Sequence, residues 1–171
     1  AGPKAIVGGV EAVQPALDAL LGDHLMKETR QGHVAFVGAG PGDPELLTLK
    51  ARKALGEADV VIYDRLISPE ILELARREAQ MIDVGKEGFG PSTAQSVINA
   101  TLVQQAQTGA RVVRLKGGDC GIFGRMDEEI AALEAANLTY SILPGLTAAS
   151  VAAASIGQSL TRRGRNASLR I

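Results

Sequence analysis

The sequence predicts an α/β protein built on a five-stranded, mostly parallel sheet with helices on both faces. Five short apolar runs are separated by longer segments with helical patterning. The runs are continuously apolar, which is typical of strands buried on both faces. They are Val34–Val37, Val60–Tyr63, Met81–Val84, Arg111–Leu115 and Tyr140–Leu143. We therefore expect ligands at the edge where the carboxyl ends of the strands meet.

Composition narrows the class of protein. The chain has 171 residues, 46% of them hydrophobic, enough for the core of one domain. The formal net charge is −1, so the chain lacks the excess of positive charge that is typical of nucleic-acid-binding proteins. The single cysteine, Cys120, excludes an internal disulfide framework. No segment resembles a membrane span or a signal peptide. We expect a cytoplasmic protein with neither nucleic acid nor membrane as partner.

Helix signals follow each apolar run. Asp43 resembles an N-cap with Pro44 behind it, which predicts a helix that ends at Gly56 and buries Leu46, Leu47, Leu49, Ala54 and Leu55. Further helices are predicted from Ser68, over Ser92–Thr108, over about Met126–Ala136, and in the Ala-rich segment after Gly145. Residues 1–32 form a predicted linker or N-terminal extension, with a short amphipathic helix over Gln14–Leu21.

Three motifs follow strands. The first is Gly38-Ala39-Gly40-Pro41-Gly42-Asp43-Pro44, a Gly-rich turn that runs into a helix. A dinucleotide site there, with Asp64 on the ribose, is disfavoured. The third glycine of that fingerprint is replaced by Asp43, and two prolines remove N–H donors from the turn. The remaining alternative is a tight turn without a ligand.

The second motif spans Arg114–Arg125 and contains Gly117-Gly118-Asp119. Paired glycines after a strand let a ligand lie on bare backbone, and Asp119 can accept hydrogen bonds from a ribose or an amino group. A solvated basic loop is the weaker interpretation. The third motif, Pro144-Gly145-Leu146-Thr147-Ala148-Ala149-Ser150, permits close approach at a helix start, although such a segment alone more often serves helix packing.

Together these motifs resemble the tetrapyrrole methylases from His33 to Arg163. Tyr63-Asp64-Arg65-Leu66-Ile67-Ser68 and Val84-Gly85-Lys86 narrow the resemblance to the uroporphyrinogen-III C-methyltransferases, including the methylase half of siroheme synthases. The resemblance implies two methylations of uroporphyrinogen III by S-adenosylmethionine, giving precorrin-2 and S-adenosylhomocysteine, for siroheme or cobalamin biosynthesis. It also implies a homodimer in the full-length family and no metal site.

The resemblance also assigns roles to residues. Asp64 corresponds to the family's proposed proton acceptor and Lys86 to its proposed proton donor, with Arg114 as a third participant. The implied cofactor contacts are Pro41, Gly117, Gly118, Asp119, Ile122, Thr147 and Ala148. A substrate with eight carboxylates suits a mouth lined by cations. The predicted cations are Arg65, Lys86, Arg114, Lys116 and Arg125.

The chain departs from the family at three points. Cys120-Gly121 replaces the family's Pro-Phe, which we expect to loosen the cofactor loop, and Arg162 stands where His is common. The family's second lobe would begin at about residues 164–171, so we expect this chain alone to be inactive or nearly so. Alternatives are a methylase for a later precorrin, a non-catalytic cofactor-binding or assembly module and, more distantly, an NAD-dependent dehydrogenase.

Overall fold

The computed structural model describes residues 13–22, 31–85, 93–166 and 168–171. Its strands lie where the apolar runs predict them, with ends that differ by at most one residue. They are β1 (His33–Gly38), β2 (Val60–Tyr63), β3 (Gln80–Asp83), β4 (Arg111–Lys116) and β5 (Thr139–Leu143). The α/β class predicted from the sequence is confirmed.

The five strands form one sheet in the order β3-β2-β4-β1-β5. Every strand pairing is parallel, so the sheet is parallel throughout rather than mostly so. In the centre, Phe36 of β1 lies beside Arg114 of β4 and Ile142 of β5. All five carboxyl ends therefore lie at one edge, where the three motifs begin.

Helices connect the strands. Residues 13–22 form α1, which includes the short helix predicted over Gln14–Leu21. The others are α2 (Leu49–Glu57), α3 (Pro69–Leu72), α4 (Gln95–Gln107), α5 (Met126–Ala135) and α6 (Ala148–Ser155). No helix in the described part of the chain has the length and apolarity needed to span a membrane.

The prediction that one continuous helix starts at Asp43 is wrong, because the first α-helix after β1 starts later, at Leu49. Asp43 does act as a cap, because its side chain accepts from Glu45 N at 2.9 Å, but it caps only the 3-10 turn Pro44–Leu46. Thr48 then caps α2 by accepting from Ala51 N at 3.1 Å, and α2 continues through Gly56 to Glu57. Leu49, placed in the buried stripe, is 88% exposed, because it lies two residues before the buried Ala51 and so on the opposite face of α2.

The sheet is buried on both faces. On one face α4 and α5 supply Ile98, Leu102, Ala106 and Leu133, which pack with Phe36. On the other face α2 and α3 supply Ala51, Leu55 and Ile71, which pack with Val61 and Leu115. Side chains of a strand alternate between the faces, so Val113 and Leu115 share one face while Arg114 and Lys116 point to the other, towards α4 and α5.

Three backbone segments meet at the carboxyl edge without intervening side chains. A Cβ on Gly38 would lie 2.5 Å from Gly145 N, and a Cβ on Gly145 would lie 2.4 Å from Gly118 O. The Gly118 segment is also paired with Gly40, through N–H···O distances of 3.0 and 2.8 Å. Only glycine fits positions 38 and 145, and their contact fixes the loops that follow β1, β4 and β5.

Gly145→Ala should lower the free energy of unfolding by about 1–3 kcal/mol, because its Cβ would overlap backbone that cannot rotate away. Gly56→Ala is the matched control, since a Cβ there meets nothing within 4 Å and the site is helical. The control should gain up to about 1 kcal/mol. Urea unfolding of both variants measures the difference, and equal stabilities would contradict the close packing.

His33 should make the fold sensitive to acid. Its ring nitrogens lie 2.8 Å from Thr139 Oγ1 and 2.9 Å from Ser141 Oγ, and burial lowers its pKa below 6.5. The unfolded chain therefore binds the proton more tightly, so stability present above pH 6.5 is lost as the pH falls below that value. Thermal unfolding between about pH 7.5 and 5.5 should lower Tm less in His33→Gln than in the parent, and equal drops would exclude His33 as the cause.

Candidate functional site

The predicted cofactor residues converge on one pocket at the carboxyl edge. The pocket has a volume of about 300 Å³. Six of the seven predicted contacts line it: Gly117, Gly118, Asp119, Ile122, Thr147 and Ala148. The seventh, Pro41, is not among the lining residues, although it follows the Gly40–Gly118 backbone pair directly and is exposed. The second and third motifs thus build the pocket together.

Gly117 gives the pocket a bare backbone surface. Among the described residues, a Cβ on Gly117 would meet nothing within 4 Å, so the space beside this backbone is open. Gly118 has a φ of +64°, which turns the chain sharply after β4. Thr147 accepts from Ala149 N at 3.3 Å and starts α6 on the opposite side of the pocket. The residues present leave room for a ligand held against backbone.

Asp119 ties the two sides of this pocket together. Its Oδ1 accepts from Gly145 N at 3.0 Å and its Oδ2 accepts from Gly121 N at 3.2 Å. The sequence predicted only ligand binding for this carboxylate. Each oxygen has a second lone pair, so Asp119 can still accept from a ligand while it holds the loop. It has a structural role that sequence reasoning missed.

Cys120 points away from the pocket into the core. It is fully buried, and its Sγ lies 3.7 Å from Leu143 O and 3.9 Å from Phe36 O. Burial raises the pKa of the thiol, which keeps it protonated and unreactive. The side chain that replaces the family's proline is therefore a packing residue under the loop.

Two of the three predicted catalytic residues lie in contact. Asp64, which follows β2, has its Oδ1 3.2 Å from Nη2 of Arg114 on the neighbouring strand β4. The Asp64 side chain is 36% exposed, whereas Arg114 is only 2% exposed as a residue. Lys86 lies outside the described residues. Asp64 is thus the accessible group, and Arg114 holds it from inside.

Sequence reasoning missed a buried carboxylate, Glu129 of α5. Glu129 is 0% exposed, with Oε1 3.2 Å from Arg114 Nη2 and Oε2 3.1 Å from Lys116 Nζ. A signal was present in the sequence. Glu129 falls on the buried stripe of α5, three residues after Met126 and four before Leu133. A carboxylate in such a stripe needs cationic or hydrogen-bonding partners.

The predicted cationic mouth is wrong for two of its members. Arg114 and Lys116, at 2% and 4% exposure, are paired internally with Glu129. Desolvation lowers the pKa of Lys116, and Glu129 partly opposes that effect. Arg65 is exposed, and the side chain of Arg125 is 61% exposed and paired with Glu128 at 2.8 Å. Of the predicted cations that the structure describes, the two in the loops are therefore at the surface and the two at the end of β4 are not.

Comparison with known proteins shows the family of this chain. The family model of the tetrapyrrole (corrin/porphyrin) methylases matches residues 33–170 of this chain. A siroheme synthase of Psychrobacter arcticus is 46% identical over 162 residues, which is 95% of this chain and 30% of that protein. The chain thus spans less than a third of this relative.

Solved structures give the same result. A uroporphyrin-III C-methyltransferase from Thermus thermophilus superimposes with a TM-score of 0.69 at 43% identity, over 78% of this chain and 56% of the other. The form of that enzyme complexed with S-adenosylhomocysteine has a TM-score of 0.67 at 44% identity, over 80% and 57% of the two chains. These matches confirm the resemblance predicted from the motifs, and the chain belongs to the tetrapyrrole methylase family.

Proposed function

We propose that the protein carrying this chain methylates uroporphyrinogen III at two pyrrole carbons, using S-adenosylmethionine and releasing precorrin-2 and S-adenosylhomocysteine. The pocket at the carboxyl edge carries the proposal, because it gathers six cofactor residues expected from separate motifs. A structural neighbour bound to S-adenosylhomocysteine supports the choice of cofactor. Siroheme and cobalamin synthesis share this step, so the precorrin-2 that is released can enter either pathway.

The residues present fit the cofactor. Gly117 offers open backbone, and Asp119 has free lone pairs for a ribose hydroxyl or an amino group. Ile122 and Ala148 add apolar surface to the same pocket. When bound, S-adenosylmethionine supplies a methyl group made electrophilic by its sulfonium. The chain's part is to hold and align the reactants.

Asp64 is the group that moves the proton in this proposal. When a substituted pyrrole carbon takes the methyl group, the macrocycle gains one positive charge and must release a proton from another of its atoms; a carboxylate beside the macrocycle can accept that proton. Asp64 is partly exposed at the same edge as the pocket, and Arg114 holds its Oδ1 at 3.2 Å. Lys86 stays a predicted proton donor.

The charges at the edge suit an anionic substrate. Arg65 and Arg125 project from the loops after β2 and β4, where they can meet substrate carboxylates. Arg125 is already held by Glu128 through distances of 2.8 and 2.9 Å, which fixes its direction. The homodimer and the cytoplasmic location stay predictions of the resemblance.

Gly117→Val tests the cofactor pocket. The added side chain meets no protein atom near its Cβ, so the fold should tolerate it while the ligand loses its space. We expect the affinity for S-adenosylhomocysteine, measured by isothermal titration, to fall at least about tenfold with Tm unchanged. Gly56→Val adds the same atoms on an exposed helix position and should bind like the parent. Parent-like binding by Gly117→Val would place the cofactor elsewhere.

Asp64→Asn tests the proton acceptor in the full-length protein. Asparagine keeps an oxygen for Arg114 but cannot take a proton at neutral pH, so methyl transfer should slow by about 10²–10⁴-fold. Affinity for S-adenosylhomocysteine should change less than about twofold, because Asp64 is not among the residues that line the pocket. The matched control is Asp83→Asn at the end of β3, whose carboxylate accepts from Gly85 N in the described part of the chain. Normal turnover by Asp64→Asn would remove Asp64 from the reaction.

A further inference from the structure

Glu129 is the most deeply buried charge among the described residues, and the proposed reaction does not use it directly. Its carboxylate lies under the sheet at 0% exposure, on the face that also carries Arg114 and Lys116. Gln95 of α4 donates to Oε1 at 3.2 Å, so a third element fixes the carboxylate in place. Burying such a group costs free energy that nearby cations and hydrogen bonds must offset.

Oε1 of Glu129 is connected through Arg114 to Asp64, the proposed proton acceptor. Oε1 accepts from Arg114 Nε at 3.3 Å and Nη2 at 3.2 Å. The same Nη2 donates to Asp64 Oδ1 at 3.2 Å. Glu129 therefore fixes the orientation of the Arg114 guanidinium group, and this group in turn holds Asp64. Arg114 Nη1 is buried without a hydrogen-bond partner among the described residues, so Nε and Nη2 alone hold the group.

The other side of Glu129 leads to the cofactor loop. Oε2 forms an ion pair with Lys116 Nζ at 3.1 Å, although it accepts no hydrogen bond among the described residues, and Lys116 donates to Gly124 O. Gly124 lies at the far end of the loop, residues 117–125, that begins at the bare backbone of Gly117. Lys116 directly precedes the loop and donates to Gly124 near the loop's other end. A carboxylate that fixes Lys116 therefore holds both ends of the loop in place.

Charge balance makes this one carboxylate necessary to both sides. Asp64, Arg114, Glu129 and Lys116 together carry two positive and two negative charges. Removing the charge of Glu129 leaves two buried cations facing one carboxylate, Asp64, that is partly in solvent. In a low-dielectric interior such an excess is costly, so the cations must move or Lys116 must lose its proton.

We propose that Glu129 is a positioning residue that couples the cofactor loop, residues 117–125, to Asp64. It acts through Lys116 on the loop and through Arg114 on the acceptor, and touches neither reactant. The proposal deepens the proposed function, since the two sides it joins are the cofactor pocket and the proton acceptor. The effects of Glu129 on the loop and on the turn after Asp64 can be measured without any ligand. The positioning role and the proposed function can therefore be tested separately.

Glu129→Gln is the first test, because it keeps the shape and removes the charge. Its amide would turn a donor towards Lys116 Nζ, which is itself a donor. Hydrogen exchange followed by mass spectrometry should be at least about tenfold faster in two segments. These are residues 117–125 and the 64–67 turn closed by Ile67 N and Asp64 O at 3.1 Å. Lys116→Met should speed exchange only in residues 117–125.

The matched control is Glu134→Gln on the same helix. Glu134 is exposed and, among the described residues, accepts from Tyr140 Oη at 3.0 Å, so the exchange of Glu134→Gln should match the parent in both segments. Glu129→Asp keeps the charge but withdraws it by about 1.5 Å, which covers the case in which Glu129→Gln does not fold. We expect Glu129→Asp to fold and to show faster exchange in at least one segment.

Exchange at the parent rate in both segments of Glu129→Gln, or of Glu129→Asp where only that variant folds, would overturn the proposal. So would equal effects of Lys116→Met and Glu129→Gln on the 64–67 turn. In the full-length protein Glu129→Gln should raise KM for the cofactor and lower kcat, whereas Lys116→Met should raise KM alone. If the parent binds no S-adenosylhomocysteine but the exchange pattern holds, the proposed function fails and the positioning role stands.

Discussion

The contact of bare backbone at the carboxyl edge is the constraint on which the rest of the site depends. Gly38 and Gly145 lie so close to each other and to Gly118 that a single added carbon would overlap main chain. This approach brings the loops after β1, β4 and β5 to one place, although their strands end in different parts of the sequence. Asp119 then closes the gap by binding Gly145 N. The pocket is a consequence of that packing.

A second layer lies beneath the loops, where the polar and apolar parts of the core meet. Arg114 and Lys116 share a strand face with Val112, whereas Val113 and Leu115 face the other helices. Cations at the end of a buried strand require a buried anion, and α5 supplies Glu129. Two cations that sequence reasoning placed at the mouth of the site thus belong to the interior, and of the predicted set Arg65 and Arg125 are exposed.

Much of the fold followed from local pattern, because continuous apolar runs and Gly-rich turns are local properties. Strand β2 was predicted at its observed bounds, Val60–Tyr63. The Asp43 helix was mispredicted because two caps compete within six residues, and the sequence does not rank Asp43 against Thr48. Glu129 was missed because its partners lie on another element, and only the packing of α5 on β4 brings them together. The roles given to Asp64 and Lys86 came from resemblance.

The strand order also has a consequence for synthesis of the chain on the ribosome. β1 is made first, yet its neighbours in the sheet are β4 and β5, so it has no partner strand until residues 111–116 have emerged. At typical elongation rates that interval is on the order of several seconds. During it, Val34 and Phe36 must stay unpaired in a growing polypeptide. β1 is thus the strand that waits longest for its partners while the protein is being made.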